Sequence, residues 1–253
     1  MRRIKLIVAY DGTEYSGWQI QPEAPTIEMY LDKAIHELTG ENVHVTGASR
    51  TDAGVHAYGN VAVFDTESTI PGDRFTFALN RFLPDSIVIQ DSWEVSGDFH
   101  PRHCNTRKTY EYRILNTAVQ LPQKRNFTWH VTGSIDIDKM REAAAYIVGE
   151  HDFKSFCCVR TQAESTVRTI YSLEVLQKGS EIIICIKGNG FLYNMVRIIT
   201  GTLIQVGKGR FKPEYVKQML EAKDRTVAGQ TAPPQGLTLV GIEYVDNDDA
   251  RVV

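Results

Sequence analysis

Gly47-Ala48-Ser49-Arg50-Thr51-Asp52-Ala53-Gly54-Val55-His56 is the stretch on which the fold turns, because it is a polar loop between two strand-like segments, residues 42–48 and 58–65. Gly47 and Gly54 have no Cβ, which suits a sharp bend or a close approach to a ligand. Ser49, Thr51 and Asp52 each suit hydrogen bonds to nearby backbone, so the plain reading is an Asx-type turn with Arg50 in solvent. The sharper reading is a carboxylate, Asp52, held within reach of a substrate, with the Arg50 guanidinium beside it to engage a phosphate.

Outward from that loop, residues 3–10 alternate as a strand, with Ile4, Leu6, Val8 and Tyr10 on one face. Thr26 is placed to cap a helix in which Ile27, Tyr30, Leu31, Ala34, Ile35 and Leu38 recur at helical spacing, and Gly40 to end it. Pro71 and Asp73 open a second helix through Phe75, Ala78, Leu79 and Phe82, stopped by Pro84, and Ile87 to Val95 reads as a strand. The order is βαββαβ. Strand 107–116, helix 137–148, strands 167–176 and 181–187, helix 191–206, an extra helix after Pro213 and strand 237–245 give the same order again. The expected fold is α+β: two ferredoxin-like halves, 1–103 and 104–253, with a cleft between them. The junction, near Phe99 to Thr106, has no flexible-linker composition.

The chain has 253 residues, of which 42% are apolar, enough for one large domain or two ordinary ones. No apolar run approaches bilayer length and the first residues lead straight into a strand, so a cytoplasmic protein with no membrane role is expected. Cys104, Cys157, Cys158 and Cys185 show no Cys-x-x-Cys pairing, which predicts reduced thiols, and His100-Pro-Arg-His103-Cys104 fits no metal-ligand spacing; no metal and no cofactor is expected. The net charge is −3, and from Glu243 onward Asp246, Asp248 and Asp249 stand with Glu243 against Arg251 alone, leaving residues 1–242 neutral. Any nucleic-acid surface is therefore local. The best candidate is Arg102, Arg107, Lys108 and Arg113 against Glu111, joined by Lys208, Arg210 and Lys212.

The Arg50–Ala57 run resembles the Arg-Thr-Asp-Ala-Gly-Val-His-Ala signature of tRNA pseudouridine synthases of the TruA type. Further matches follow in order: Tyr10-Asp11-Gly12-Thr13 with Gly17-Trp18-Gln19, Lys108-Thr109-Tyr110-Glu111-Tyr112, Gly190 to Arg197, and Thr231 to Leu237. The chain departs from the usual pattern at Ser49, where glycine is common, and at Ile27-Glu28, where Val-Gln is common. The resemblance implies the pseudouridine synthase fold, with Asp52 the catalytic carboxylate, Tyr110 an active-site residue and Arg197 its partner across the two halves. It also implies tRNA as partner, through the anticodon stem-loop, and a homodimer.

The reaction so implied breaks the bond from ribose to uracil N1, turns the base and joins C5 to the sugar. No net oxidation occurs, in keeping with the lack of a P-loop or dinucleotide fingerprint. An arginine near Asp52 would favour its ionised form. Asp52 would then add to the sugar as a nucleophile, or remove a ribose proton so that a glycal forms; the sequence leaves both routes open. Either needs the base out of its stack, a cost that Arg50 would offset by filling the gap or holding the displaced phosphate. Tyr110 is the candidate to stack on the uracil and assist deprotonation at C5, with Arg107 and Lys108 beside it for the RNA. Leu237, and more weakly Phe191, are candidates for the uracil pocket against an equally ordinary core role. Tyr112 reads as core and His56 as a structural hydrogen-bonding residue, while Trp18 and Gln19 shape the N-terminal loop. A tandem RNA-binding module would want an RNP-type aromatic cluster, which the chain lacks. A glycoside hydrolase would want a second carboxylate, and Glu67 is remote in sequence from Asp52.

Overall fold

In the computed structural model, which describes residues 1–158 and 163–245, β1 (Arg2–Tyr10) runs antiparallel to two neighbours. On one side lies β3 (His56–Thr66), with Ile4 opposite Phe64 and Leu6 opposite Ala62. On the other lies β4 (Ile87–Val95), with Leu6 opposite Ser92. Between β1 and β3 the chain forms α1 (Ile27–Thr39) and β2 (Thr46–Gly47), the latter paired with β3. A 3-10 turn (Gly72–Arg74) runs into α2 (Phe75–Leu79) ahead of β4. The Phe64 and Phe75 rings meet edge to face at 5.3 Å, joining α2 to the strand beneath it.

The ends of α1 follow its sequence. Thr26 Oγ1 accepts the Met29 N–H at 3.4 Å, and Gly40, at φ 77°, returns its N–H to the His36 carbonyl at 2.8 Å. Other limits differ from the sequence pattern. Of the strand expected over 42–48 only Thr46–Gly47 is paired. The helix expected through Phe82 stops at Leu79, leaving Phe82 exposed.

The second unit is built on β5 (Thr106–Asn116), which carries β6 (Trp129–Val131) in parallel and β9 (Glu181–Gly188) antiparallel. Beyond β9 come β8 (Val167–Lys178) and β7 (Gly149–Asp152), both antiparallel to their neighbours. Three helices complete it: α3 (Ile137–Ala145), α4 (Met195–Gly207) and α5 (Tyr215–Ala222). Of these, α4 is apolar nearly all round, with Ile198, Ile199, Leu203 and Val206 fully buried. The strands β6 and β7 were not expected. Gly149, at φ 113°, opens β7 instead of closing a longer α3. Likewise α4 begins at Met195, not at residue 191, because Asn194 sits in the left-handed region at φ 63°.

The last strand, β10 (Leu237–Tyr244), pairs in parallel with β3, Thr238 opposite His56 and Leu239 opposite Ala57. The compact units are accordingly Met1–Thr106 with the chain from Thr238 on, and Arg107–Leu237. The sequence pattern had put this strand in the second half.

The first unit's sheet is apolar on both faces, not on one. Opposite the Ile4, Leu6 and Val8 face, Ile7, Val61, Val63, Trp93 and Val95 form a second small core, covered by Ala48, Phe99 and Tyr244. Lys5, only 3% exposed, lies among these rings, its Nζ 4.7 Å from Trp93, 4.9 Å from Phe99 and 4.5 Å from Tyr244. Asp246, Asp248, Asp249 and Arg251, which carry most of the acidic tail, lie outside the described residues.

Candidate active site

In the first unit the Asp52 loop joins β2 to β3 and is held from below. The Thr51 hydroxyl bonds the Tyr10 hydroxyl at 2.8 Å, and the Thr51 carbonyl accepts the Trp18 N–H at 3.0 Å. Asn60, fully buried on β3, donates its side-chain amide to the Ser49 carbonyl at 2.9 Å. The Asp52 carbonyl accepts the Val55 N–H at 3.1 Å, closing the turn, and Gly54 follows at φ 77°, which a Cβ would strain. A Cβ on Gly47 would collide with the Trp18 ring, so this glycine lets the loop lie flat on the indole. Thr51 is thus buried, Asp52 half-buried and Arg50 exposed. A fixed backbone presents the acid at the boundary with solvent.

His56 is 3% exposed, and its Nδ1 accepts the Gly12 N–H at 3.0 Å with the Asp11 carboxylate 3.2 Å away. It ties the Tyr10–Thr13 motif to the start of β3, as a structural role requires.

In the second unit three of the quoted motifs interlock. Arg197, on the first turns of α4, donates from Nε to the Ala232 carbonyl at 2.7 Å and from a terminal nitrogen to Asn194 Oδ1 at 2.8 Å. Its own carbonyl accepts the Ala232 N–H at 3.1 Å, so guanidinium and backbone are both fixed by the Thr231–Leu237 segment. Tyr112 donates its hydroxyl to the Pro233 carbonyl at 2.6 Å and is fully buried; burial pushes its phenol well above the ordinary tyrosine range, against the nearby Arg197 charge. Tyr110, 6% exposed, meets the Phe191 ring edge to face at 5.1 Å. Phe191 also packs over Gly188, the residue paired with Lys108 across β5 and β9, so Lys108, Tyr110 and Phe191 share one neighbourhood. Leu237 is 6% exposed at the start of β10.

Two of the expected basic residues are differently employed. The Arg107 guanidinium lies 5.2 Å from the Tyr171 ring, and strand alternation puts it on the opposite face of β5 from Tyr110. Arg113 is drawn to Glu111 at 2.6 Å and Glu181 at 3.2 Å. Tyr10, Asn60 and Ala232 were not singled out as supports. Tyr10 stood in a quoted motif, whereas nothing local marks Asn60 as the residue that reaches Ser49. Among the described residues no group of three His, Cys, Asp or Glu side chains is arranged to hold a metal ion, and no helix is long and apolar enough to cross a membrane.

The family model described as tRNA pseudouridine synthase matches residues 6–104 and 143–245, and the chain belongs to that family. It is 51% identical over 245 residues to a tRNA pseudouridine synthase A of Ruminiclostridium cellulolyticum, covering 96% of this chain and all of that protein. Relatives of the same description in Thermoanaerobacter sp. (strain X514) and Brevibacillus brevis are each 48% identical over 244 residues, again with 96% of this chain and all of theirs. A solved Cbf5-Nop10-Gar1 complex aligns with 93% of this chain and 56% of its own at a TM-score of 0.31 and 12% identity, too distant a likeness to inform the site.

Proposed function

We propose that this protein isomerises uridine to pseudouridine in the anticodon stem-loop of tRNA, with Asp52 as the catalytic carboxylate. The observation that carries the reading is the Asp52 loop: an acid in the family's signature, on a backbone pinned through Thr51, Ser49 and Val55, beside an exposed arginine. Family membership and near-half identity over almost the whole chain support the activity. In the reaction the C1′–N1 bond breaks and a C1′–C5 bond forms; C5 gives up its proton and N1 gains one. Nothing is oxidised. Asp52 acts as nucleophile at C1′ or as the base that yields a glycal.

In this reading Tyr110 stacks on the uracil and assists loss of the C5 proton, and Arg197 keeps the carboxylate ionised. Leu237 and Phe191 supply apolar contact to the base, while Arg50 and Lys108 face the RNA; Arg107, held on the Tyr171 ring on the other face of β5, is left out of this reading. The two units are taken as ferredoxin-like halves of a pseudouridine synthase fold that works as a homodimer in the cytoplasm, and pairing of two copies would add two local basic patches. The test is tritium release from tRNA labelled at uridine C5. The unsubstituted protein should release label to water and Asp52→Asn should release none. Unaltered release by that variant would remove Asp52 from the chemistry.

A further inference from the structure

The segment after β4 carries an arginine that the reaction scheme above does not use. Arg102 Nε donates to the Gly47 carbonyl at 2.7 Å, at the residue where the Asp52 loop begins. Among the described residues its two terminal nitrogens make no hydrogen bond, and Arg50 has no ion-pair partner; both side chains are exposed. Partial burial first, and the Arg50 charge second, hold Arg102 below the ordinary arginine range. Glu28 acts on Arg102 in the opposite sense, and its carboxylate is already bonded to the Ile20 N–H at 2.9 Å.

The backbone under Arg102 is locked. Its N–H points into His100 Nδ1 at 3.2 Å, and the His100 and His103 rings stack at 3.8 Å. The Pro101 carbonyl accepts the Tyr244 hydroxyl at 3.1 Å, and the Phe99 carbonyl accepts from Arg3 at 2.8 Å. Two like charges kept close on rigid supports, with open donors, are an arrangement that an anion relieves.

We propose that Arg102 and Arg50 together seat one RNA phosphate beside the Asp52 loop, and that Arg102, through its Nε bond to Gly47, is a positioning residue for that loop. The proposal rests on the tRNA reading. A phosphate bound by both guanidinium groups would fix the nucleotide's backbone while its base is displaced, and the same contact would tighten the Gly47 end of the loop.

The test measures tRNA binding against salt, and single-turnover rate, for the unsubstituted protein, Arg102→Ala and Arg102→Lys, with thermal unfolding as a check on folding. Arg102→Ala should weaken binding about ten- to a hundredfold and lower the slope of log affinity against log salt by about one. Arg102→Lys keeps the charge but loses the fixed fork, so it should retain most of the slope and still lose rate. If Arg102→Ala binds with unchanged affinity and slope, the phosphate seat does not exist; if Arg102→Lys turns over at the full rate, the positioning role falls. Failure of the unsubstituted protein to bind tRNA at all would overturn the enzyme reading and this inference with it.

Discussion

Tyr110 and Tyr112 stand two residues apart on β5, share one face and are both buried, and the proposed function sets them different tasks. Alternation along the strand is legible in the sequence and puts both rings inward. It cannot tell core from site; the family resemblance is what proposes the distinction, and the two rings have different surroundings. The Tyr112 hydroxyl is committed to Pro233, with a phenol that stays protonated through the ordinary pH range, whereas the Tyr110 ring faces Phe191. Tyr112→Phe should therefore lose about 1 kcal/mol in urea unfolding, the worth of one buried hydrogen bond, with tritium release little changed. Tyr110→Phe should lower release at least tenfold. Equal effects of the two substitutions on both measurements would erase the distinction.

Elements were legible where local chemistry decides them. The α1 helix has its cap, its apolar spacing and its left-handed glycine in the sequence, and it forms between them. The short pieces were not. The paired strand before the Asp52 loop shrinks to two residues: ahead of it Val45 gives its N–H to the Asp32 carboxylate at 2.9 Å, a partner distant in sequence, in place of a strand neighbour. Likewise β6 is three residues defined only by its partner β5. Because the first turn of α1 also donates the Ile27 and Glu28 N–H groups to the Gly17 and Trp18 carbonyls, its start supports the floor of the Asp52 loop. Thr26→Ala should cost about 1 kcal/mol, read by denaturant unfolding, and should lower the turnover rate as well. A stability loss with an unaltered rate would show that helix and loop are not coupled.

Across the whole molecule the ionised carboxylates set the response to acid. Asp65 is held below the usual range first by its hydrogen bonds to Arg3, Asp152 by Thr166, and Glu181 by Lys124. Each binds a proton less readily folded than unfolded, so each stabilises the fold above about pH 4 and ceases to as pH falls through its lowered value. Asp32 is shifted the other way, by burial; its ionisation weighs against the fold at neutral pH and that cost fades in acid. Asp136 and Asp224 are lowered too, by backbone hydrogen bonds, so the lowered carboxylates outnumber the raised one and predict falling stability in acid. Glu181→Gln should melt below the unsubstituted protein at pH 7, the gap narrowing toward about pH 3; a constant gap would refute the assignment. Division of the chain was the part least visible in sequence, since a strand pattern does not say which earlier strand it will join, and β10 joins β3. That return has a cost in time during synthesis. At usual ribosome speeds roughly ten seconds pass between the emergence of residue 106 and of Thr238, and throughout that interval β3 waits for its parallel neighbour, leaving the nascent first unit open to chaperones before the loop it carries can be finished.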